Sequence, residues 1–232
     1  MKPLAIVTGV GPGTGAAIVR RFHEGGFQVA MLARNADRLA ALANELPKAF
    51  AVPCDVADAP SLQVALDGIE TRAGTSKVLV HNAVGGAFGN FLDMKPEVLE
   101  RNFRVNVMAL MHLARWAAPR MATAGGGAII VTGNTSALRG KANFAAFAPT
   151  KAAQRILAES IARTMGPRGI HVAYLVIDAV IDLEWQRKNN PQKPDDFFCR
   201  PADIADEVWR LAHQPKSAWS FLAEVRPYGE NW

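Results

Sequence analysis

The chain has 232 residues, 50% of them hydrophobic, and a formal net charge of +5. These values predict one globular domain, residues 1–232. The basic residues are scattered, which argues against a nucleic-acid partner, and the histidines are dispersed, which argues against a metal site. The apolar runs are too short for a membrane span. Two distant cysteines, Cys54 and Cys199, and the lack of an export signal favour the cytoplasm.

Strand-like runs alternate with segments of helical period along the whole chain. The runs lie at residues 4–7, 28–33, 50–53, 77–80, 128–132, 171–177 and 220–225. They are nearly continuous in Val, Ile and Leu, which is typical of strands covered on both faces. The sequence therefore predicts an α/β, Rossmann-type fold, a doubly wound seven-stranded parallel sheet flanked by helices. Its ligand crevice is expected at the carboxyl ends of the strands.

The first strand-like run continues into a glycine-dense turn, and a helix-patterned segment, residues 16–23, follows. The turn contains Gly9, Gly11, Pro12, Gly13, Thr14 and Gly15. Glycines let backbone N–H groups approach a pyrophosphate, and the N-terminus of the following helix attracts the anion. This strand–turn–helix context predicts a dinucleotide site, with a plain turn closing a βα unit as the alternative.

Arg34 directly follows the second strand-like run, about twenty residues past the glycine turn, where an acid would bind the ribose 2′-hydroxyl of NAD. No acid is present at Ala33, Arg34 or Asn35. An arginine there can bind a 2′-phosphate, and Arg38 offers a second cation one helical turn later. The sequence therefore favours NADP over NAD. The alternative is a surface arginine before a helix that starts at Asn35.

Other polar residues follow the remaining strand-like runs and are expected at the same edge of the sheet. They are Asp55, Asn82, Asn134 and Asp178. Asp55 has an alternative role as a turn residue before the next helix. Residues 182–200, rich in Asn, Pro, Lys and Asp, predict an irregular loop that acts as a lid or substrate wall.

Short motifs recur at fixed places relative to these runs. They are Thr8-Gly9-x-x-x-Gly13-x-Gly15, Asp55-Val56, Asn82-Ala83, Asn106 inside a long helix, and Lys151 opening the helix that runs to about residue 165. Together they resemble the short-chain dehydrogenase/reductase family over essentially the whole chain. The resemblance implies hydride transfer between a nicotinamide cofactor and a carbonyl, alcohol or activated double bond of a small-molecule substrate. It also implies a homodimer or homotetramer built on helices 101–120 and 151–165.

The resemblance implies roles for individual residues as well. The expected cofactor contacts are Gly9, Gly11, Pro12, Gly13, Thr14, Gly15, Arg34, Asn35, Asp55, Val56, Asn82, Ala83, Val84, Lys151, Asp178 and Val180. In the family, the counterpart of Lys151 binds the nicotinamide ribose and lowers the pKa of a neighbouring tyrosine, and that of Asn106 holds a water against the lysine. The alternatives are a solvated lysine at a helix start and a buried asparagine that satisfies a helix kink.

The departures from the family fall on its catalytic tetrad, whose four positions here are Asn106, Asn134, Phe147 and Lys151. Phe147 stands where the family has tyrosine, and Asn134 stands where it has serine. His81, at a strand end where the family has asparagine, is either a site residue or a satisfied core histidine. The pattern resembles a divergent subgroup that carries phenylalanine for tyrosine and keeps the lysine.

Two functions from different classes remain open on the sequence. The first is an NADP-dependent oxidoreductase, and the second is a nucleotide-binding sensor or partner subunit without dehydrogenase chemistry. Reduction of a ketone needs a proton donor at the developing alkoxide, and Phe147 supplies none. The remaining phenols are Tyr174, predicted within a strand, and Tyr228 in the C-terminal tail, which could reach a site across an oligomer interface.

Overall fold

The computed structural model describes residues 2–229. Within them the strands are β1 (Leu4–Thr8), β2 (Gln28–Ala33), β3 (Ala49–Pro53), β4 (Val78–His81), β5 (Gly127–Asn134), β6 (Ile170–Ile177), β7 (Val180–Ile181), β8 (Phe198–Cys199) and β9 (Leu222–Val225). The α-helices are α1 (Thr14–Glu24), α2 (Ala36–Glu45), α3 (Ala59–Ala73), α4 (Pro96–Phe103), α5 (Ala109–Thr123), α6 (Ala148–Met165), α7 (Glu184–Asn189) and α8 (Pro201–Ala212). No helix among the described residues is long and apolar enough to cross a bilayer.

The predicted doubly wound sheet is confirmed. Seven parallel strands lie in the order β3-β2-β1-β4-β5-β6-β9. Alternate residues of β1 point to opposite faces, so Leu4 and Ile6 join one buried cluster while Ala5 and Val7 join the other. Each fully buried Leu or Ile contributes about 1.5–3 kcal/mol, which is why both faces of the sheet are covered.

One cluster packs the sheet against α3, α5 and α6, and the other packs it against α1, α2 and α8. The long helix predicted at 101–120 is built of α4, a five-residue π segment (Arg104–Met108) and α5. Asn106 lies in that π segment, where the widened turn is a frequent feature of functional sites. Helix α6 begins at Ala148 rather than at Lys151, because Phe147 is its N-cap and Pro149 fits its first turn.

The segment 182–200 is more ordered than the sequence predicts. It contains α7, a short 3₁₀ turn (Asp195–Phe197) and β8, which pairs with β7. The guanidinium of Arg187 binds Asp182 at 2.5 and 2.9 Å and Asp195 at 2.6 Å. These side-chain pairs fix a stretch whose composition alone is that of an irregular loop.

Candidate functional site

The glycine turn after β1 is held in place by its neighbours in the sheet. The N–H of Gly9 donates to Leu32 O at 2.9 Å, and Asn82 Nδ2 donates to Gly9 O at 2.9 Å. Gly9 has φ +71°, and a Cβ there would lie 2.5 Å from Ala83 N and Cα. Only glycine adopts this conformation at this distance without strain.

The N-terminus of α1 opens toward a cavity and carries an unsatisfied polar atom. Gly13 is the N-cap and supplies no side-chain cap, and the buried Thr14 Oγ1 has no hydrogen-bond partner within the described chain. Free N–H groups, the positive end of the helix dipole and a buried hydroxyl without a partner together fit an anionic group such as a pyrophosphate.

The cavity has a volume of about 1310 Å³, above the usual range for a single small-molecule site. All of the predicted cofactor residues except Lys151, Asp178 and Val180 line it. Its wall also includes Leu183 and Trp185 of the segment predicted as a lid or substrate wall, and three residues that sequence reasoning missed, namely Lys95, Glu97 and Arg101. Leu183 Cδ2 would lie 2.6 Å from a Cβ at Gly13, so the 182–200 segment packs directly on the glycine turn.

Arg34 and Arg38 lie at the end of the cavity formed by β2 and α2. Both are exposed, and neither side chain has a hydrogen-bond or ion-pair partner among residues 2–229. Asn35 lines the cavity and also caps α2, because its Oδ1 accepts from Arg38 N at 2.8 Å. Asp55 accepts from Ala57 N at 3.0 Å in the turn after β3 and also lines the cavity.

Two of the predicted cofactor residues after β6 lie outside the cavity wall. Asp178 is 3.6 Å from Arg226, in an ion pair, and its N–H donates to Val225 O. Val180 pairs with Phe198 in the small sheet of β7 and β8. Strand β7 therefore pairs with the 182–200 segment, and Ile181 and Leu183 line the cavity in place of Asp178 and Val180.

Lys151 is buried, with 2% of its surface exposed, which overturns the alternative of a solvated lysine. Its Nζ donates to Thr132 O at 3.0 Å and to Gln154 Oε1 at 2.5 Å. Burial lowers the pKa of Lys151 to about 7, because the interior disfavours the ammonium.

Asn106 is fully hydrogen-bonded and joins three elements. Its Oδ1 accepts from Gly85 N at 2.9 Å, and its Nδ2 donates to Gly85 O and Thr150 Oγ1 at 2.8 Å each. Asn134, the counterpart of the family serine, uses its Oδ1 to accept from Ser136 N at 3.1 Å. The first residue fixes the wall of the cavity, and the second caps the turn after β5.

Phe147 is buried in an aromatic cluster at the start of α6. Its ring centroid lies 6.4 Å from those of both Phe88 and Phe144, and its ring atoms would lie 3.7 Å from a Cβ on Gly86. The other phenols are committed elsewhere. Tyr174 is buried behind Gly133, and the hydroxyl of Tyr228 donates to Asp196 Oδ2 at 2.7 Å.

His81 is a core residue. Its ring is buried at the end of β4, with Nδ1 3.0 Å from Thr8 Oγ1, and Nε2 has no hydrogen-bond partner in the described chain. Burial and the nearby charge of Lys151 lower the pKa of His81 to about 3. The imidazole is therefore neutral at physiological pH.

We expect this buried imidazole to make the protein sensitive to acid. Above about pH 6.5, the usual pKa of a histidine in the unfolded chain, His81 is neutral in both states and does not change the free energy of unfolding. At lower pH the imidazole binds a proton in the unfolded chain but not in the folded protein, so the folded protein becomes less stable. Between pH 7 and pH 5 the unmodified protein should lose about 2 kcal/mol more of its unfolding free energy than His81→Asn. Urea unfolding of both proteins at the two pH values measures this, and parallel losses would contradict it.

Comparison with known proteins agrees with this geometry. The family model described as short chain dehydrogenase matches residues 3–193. The 7alpha-hydroxysteroid dehydrogenase of Escherichia coli is 30% identical over 227 residues, covering 93% of this chain and 88% of the relative. A cyclic-di-GMP-binding biofilm dispersal mediator protein of Escherichia coli is 34% identical over 190 residues, covering 81% of this chain and 77% of that protein.

Solved structures show the same likeness. The alcohol dehydrogenase of Thermococcus sibiricus, complexed with 5-hydroxy-NADP, has a TM-score of 0.88 at 25% identity, covering 100% of this chain and 99% of its own. A 7alpha-hydroxysteroid dehydrogenase complexed with NADH and 7-oxo glycochenodeoxycholic acid has a TM-score of 0.88 at 27% identity, covering 98% of this chain and 94% of its own. The chain belongs to the short-chain dehydrogenase family.

Proposed function

We propose that this protein is an NADP(H)-dependent oxidoreductase acting on a carbonyl, alcohol or activated double bond of a small molecule. The observation that carries the proposal is the cavity that extends from the Thr14 hydroxyl to the guanidinium of Arg34, two groups without a partner among residues 2–229. A bound nicotinamide supplies or accepts the hydride. The chain's own residues bind its phosphates at the glycine turn, fix its ribose with Lys151 and exclude water with the 182–200 segment.

The preference for NADP rests on Arg34 and Arg38, whose guanidinium groups have no partner among residues 2–229 because the acid between them, Asp37, forms no ion pair with either. A guanidinium can bind a 2′-phosphate through two N–H groups. The relatives divide on this point, since the alcohol dehydrogenase was solved with an NADP derivative and the steroid dehydrogenase with NADH. The residues after β2 in this chain favour the phosphorylated cofactor.

Arg34→Asp is expected to weaken NADPH binding by about ten- to a hundredfold and to reverse the order of affinity for NADPH and NADH. The reason is that a charge-assisted pair is replaced by a carboxylate that repels the phosphate and accepts from the ribose hydroxyls. Calorimetry with both cofactors measures the effect, and Arg168→Asp, at an exposed site outside the cavity, is the matched control. Equal affinities for NADPH and NADH in the unmodified protein would refute the preference.

The chemistry that the site supports depends on Phe147, and we propose on this residue that the chain belongs to the divergent phenylalanine subgroup. With no phenol in reach among the described residues, the enzyme is suited to a substrate that needs no proton from the protein, such as an activated double bond. A nucleotide-binding sensor or partner subunit is the second candidate, favoured by the same missing acid and by the 34% identity to the mediator protein. NADPH consumption with a panel of ketones and enones separates the two, since only the enzyme oxidises NADPH.

We also propose a homodimer or homotetramer in the cytoplasm, with residues 1–232 forming one domain and the 182–200 segment contacting substrate. The outer faces of the π segment and α6 carry the exposed apolar residues Met108 (40%) and Ile156 (54%), which an interface would cover. Both cysteines are buried free thiols, which suits a reducing compartment. Light scattering on the purified protein gives the number of copies.

A further inference from the structure

Gln154 stands between the two members of the family tetrad that this chain keeps. It lies in α6, one turn after Lys151, and is fully buried. Its Oε1 accepts from Lys151 Nζ at 2.5 Å, while its Nε2 donates to the main-chain oxygen of Asn106 at 2.7 Å. The resemblance to the family places a water between this asparagine and the lysine, and here a side-chain amide makes the connection.

Most of the N–H donors of Lys151 already bind acceptors within the protein. An ammonium has three N–H donors, and two of them point at Thr132 O and Gln154 Oε1. Tyr174 adds to the same network, with its hydroxyl 3.3 Å from Gln154 Oε1. Lys151 does not line the cavity, and both of its acceptors belong to buried residues.

We propose that Gln154 is a positioning residue that ties Lys151 to the π segment and leaves it at most one N–H for the ribose of a bound nucleotide. The inference rests on the proposed function, because it assigns Lys151 to a nucleotide site. An amide cannot pass a proton along as a water can. Gln154 therefore also closes the connection between Lys151 and Asn106 to proton transfer.

The charges around Lys151 make this contact measurable without any nucleotide. The titratable groups beside it in the described chain are His81 on β4 and Tyr174 on β6. Burial and the charge of Lys151 lower the pKa of His81, and burial raises that of Tyr174, so both are neutral at pH 7. Arg155, one helical turn after Lys151 in α6, also acts on Tyr174 and has a partly buried side chain that lies 3.6 Å from Glu159. No carboxylate in the described chain offsets the buried ammonium.

The first test uses Gln154→Glu and NMR titration of the lysine side chains. A carboxylate at the Gln154 position should raise the pKa of Lys151 by about 1 to 3, because it stabilises the ammonium. Gln192→Glu, at an exposed site in the 182–200 segment, is the matched control and should leave Lys151 unchanged. If the two variants shift Lys151 equally, the contact does not exist and the inference fails.

The second test uses Gln154→Leu and calorimetry with NADPH. Freeing one charge-assisted N–H should tighten binding by about three- to tenfold. The gain should vanish in a Lys151→Met background, because it acts through the lysine. Unchanged or weaker binding by a folded Gln154→Leu overturns the inference, and Gln154→Met, which is more flexible, replaces it if the leucine variant does not fold.

The two tests separate this inference from the proposed function. If neither the unmodified protein nor any variant binds NADPH, the proposed function fails. The anchoring of Lys151 by Gln154 then stands or falls on the titration alone. If NADPH binds but Gln154→Glu binds it more tightly than the unmodified protein, the positioning role is wrong, because that variant keeps the acceptor.

Discussion

Phe147→Tyr is expected to raise NADPH-dependent ketone reduction by about 10²–10⁴-fold, the usual contribution of a positioned general acid. The substitution adds one hydroxyl at the N-cap of α6, one helical turn before Lys151, whose N–H donates to Phe147 O at 3.1 Å. Because the ring is already buried in its cluster, NADPH affinity should change by less than about threefold. Steady-state rates with a panel of ketones measure the gain.

Phe144→Tyr is the matched control for this prediction. It adds the same hydroxyl to the neighbouring ring of the cluster, 6.4 Å away, without placing it one turn before the lysine. It should leave ketone reduction unchanged. The double variant Phe147→Tyr, Asn134→Ser tests whether the second missing hydroxyl is also required. Robust ketone reduction by the unmodified protein, undiminished in Tyr228→Phe, would show that another group already donates the proton.

The sheet was predictable because its cause is local. Each strand is a short unbroken apolar run, and the periodic segments between runs force crossovers, so strand existence follows from the sequence alone. The ends of the strands were less predictable. The fifth run, 128–132, extends to Gly127–Asn134, because Gly133 and Asn134 pair with Val176 and Ile177 of β6 and polar residues carry no strand signal of their own.

The glycine turn and Arg34 were placed at the cavity by chain order, since both follow parallel strands. The ion pair of Asp178 was not predictable, because its partner Arg226 lies far along the chain and no local pattern reveals an ion pair of that kind. Gln154 was missed for a related reason. A single glutamine in a helix has the pattern of a solvated face, and only the packing of α6 against the π segment buries it.

The order of the 182–200 segment was also hidden from the sequence. Its composition predicts a loop, but Arg187 reaches two aspartates at once, and residues Val180 and Ile181 find strand partners in Phe198 and Cys199. Such contacts depend on where the chain returns after β6. Sequence patterns reflect local conformational propensity, whereas the conformation of this segment is fixed by contacts between residues distant in the chain.

Gly9→Ala is expected to reduce the free energy of unfolding by about 3 kcal/mol or more. Two costs add. At φ +71° a side chain strains the backbone, and the new Cβ would lie 2.5 Å from Ala83 N and Cα, backbone atoms that cannot rotate away. Moving Ala83 would disturb Asn82, which holds the turn through Gly9 O and accepts from Thr132 Oγ1.

Gly11→Ala supplies the control for this substitution within the same turn. Gly11 has no positive φ, and a Cβ there would have no atom within 4 Å. The free energy of unfolding of Gly11→Ala should therefore differ from that of the unmodified protein by less than about 1 kcal/mol. It can increase, because alanine restricts the unfolded chain. Urea unfolding of both variants measures the difference. The two glycines differ only in conformation and in what surrounds them. Equal stabilities of the two variants would therefore mean that the glycine turn does not pack against Asn82 and Ala83, and that this part of the cavity wall is wrong.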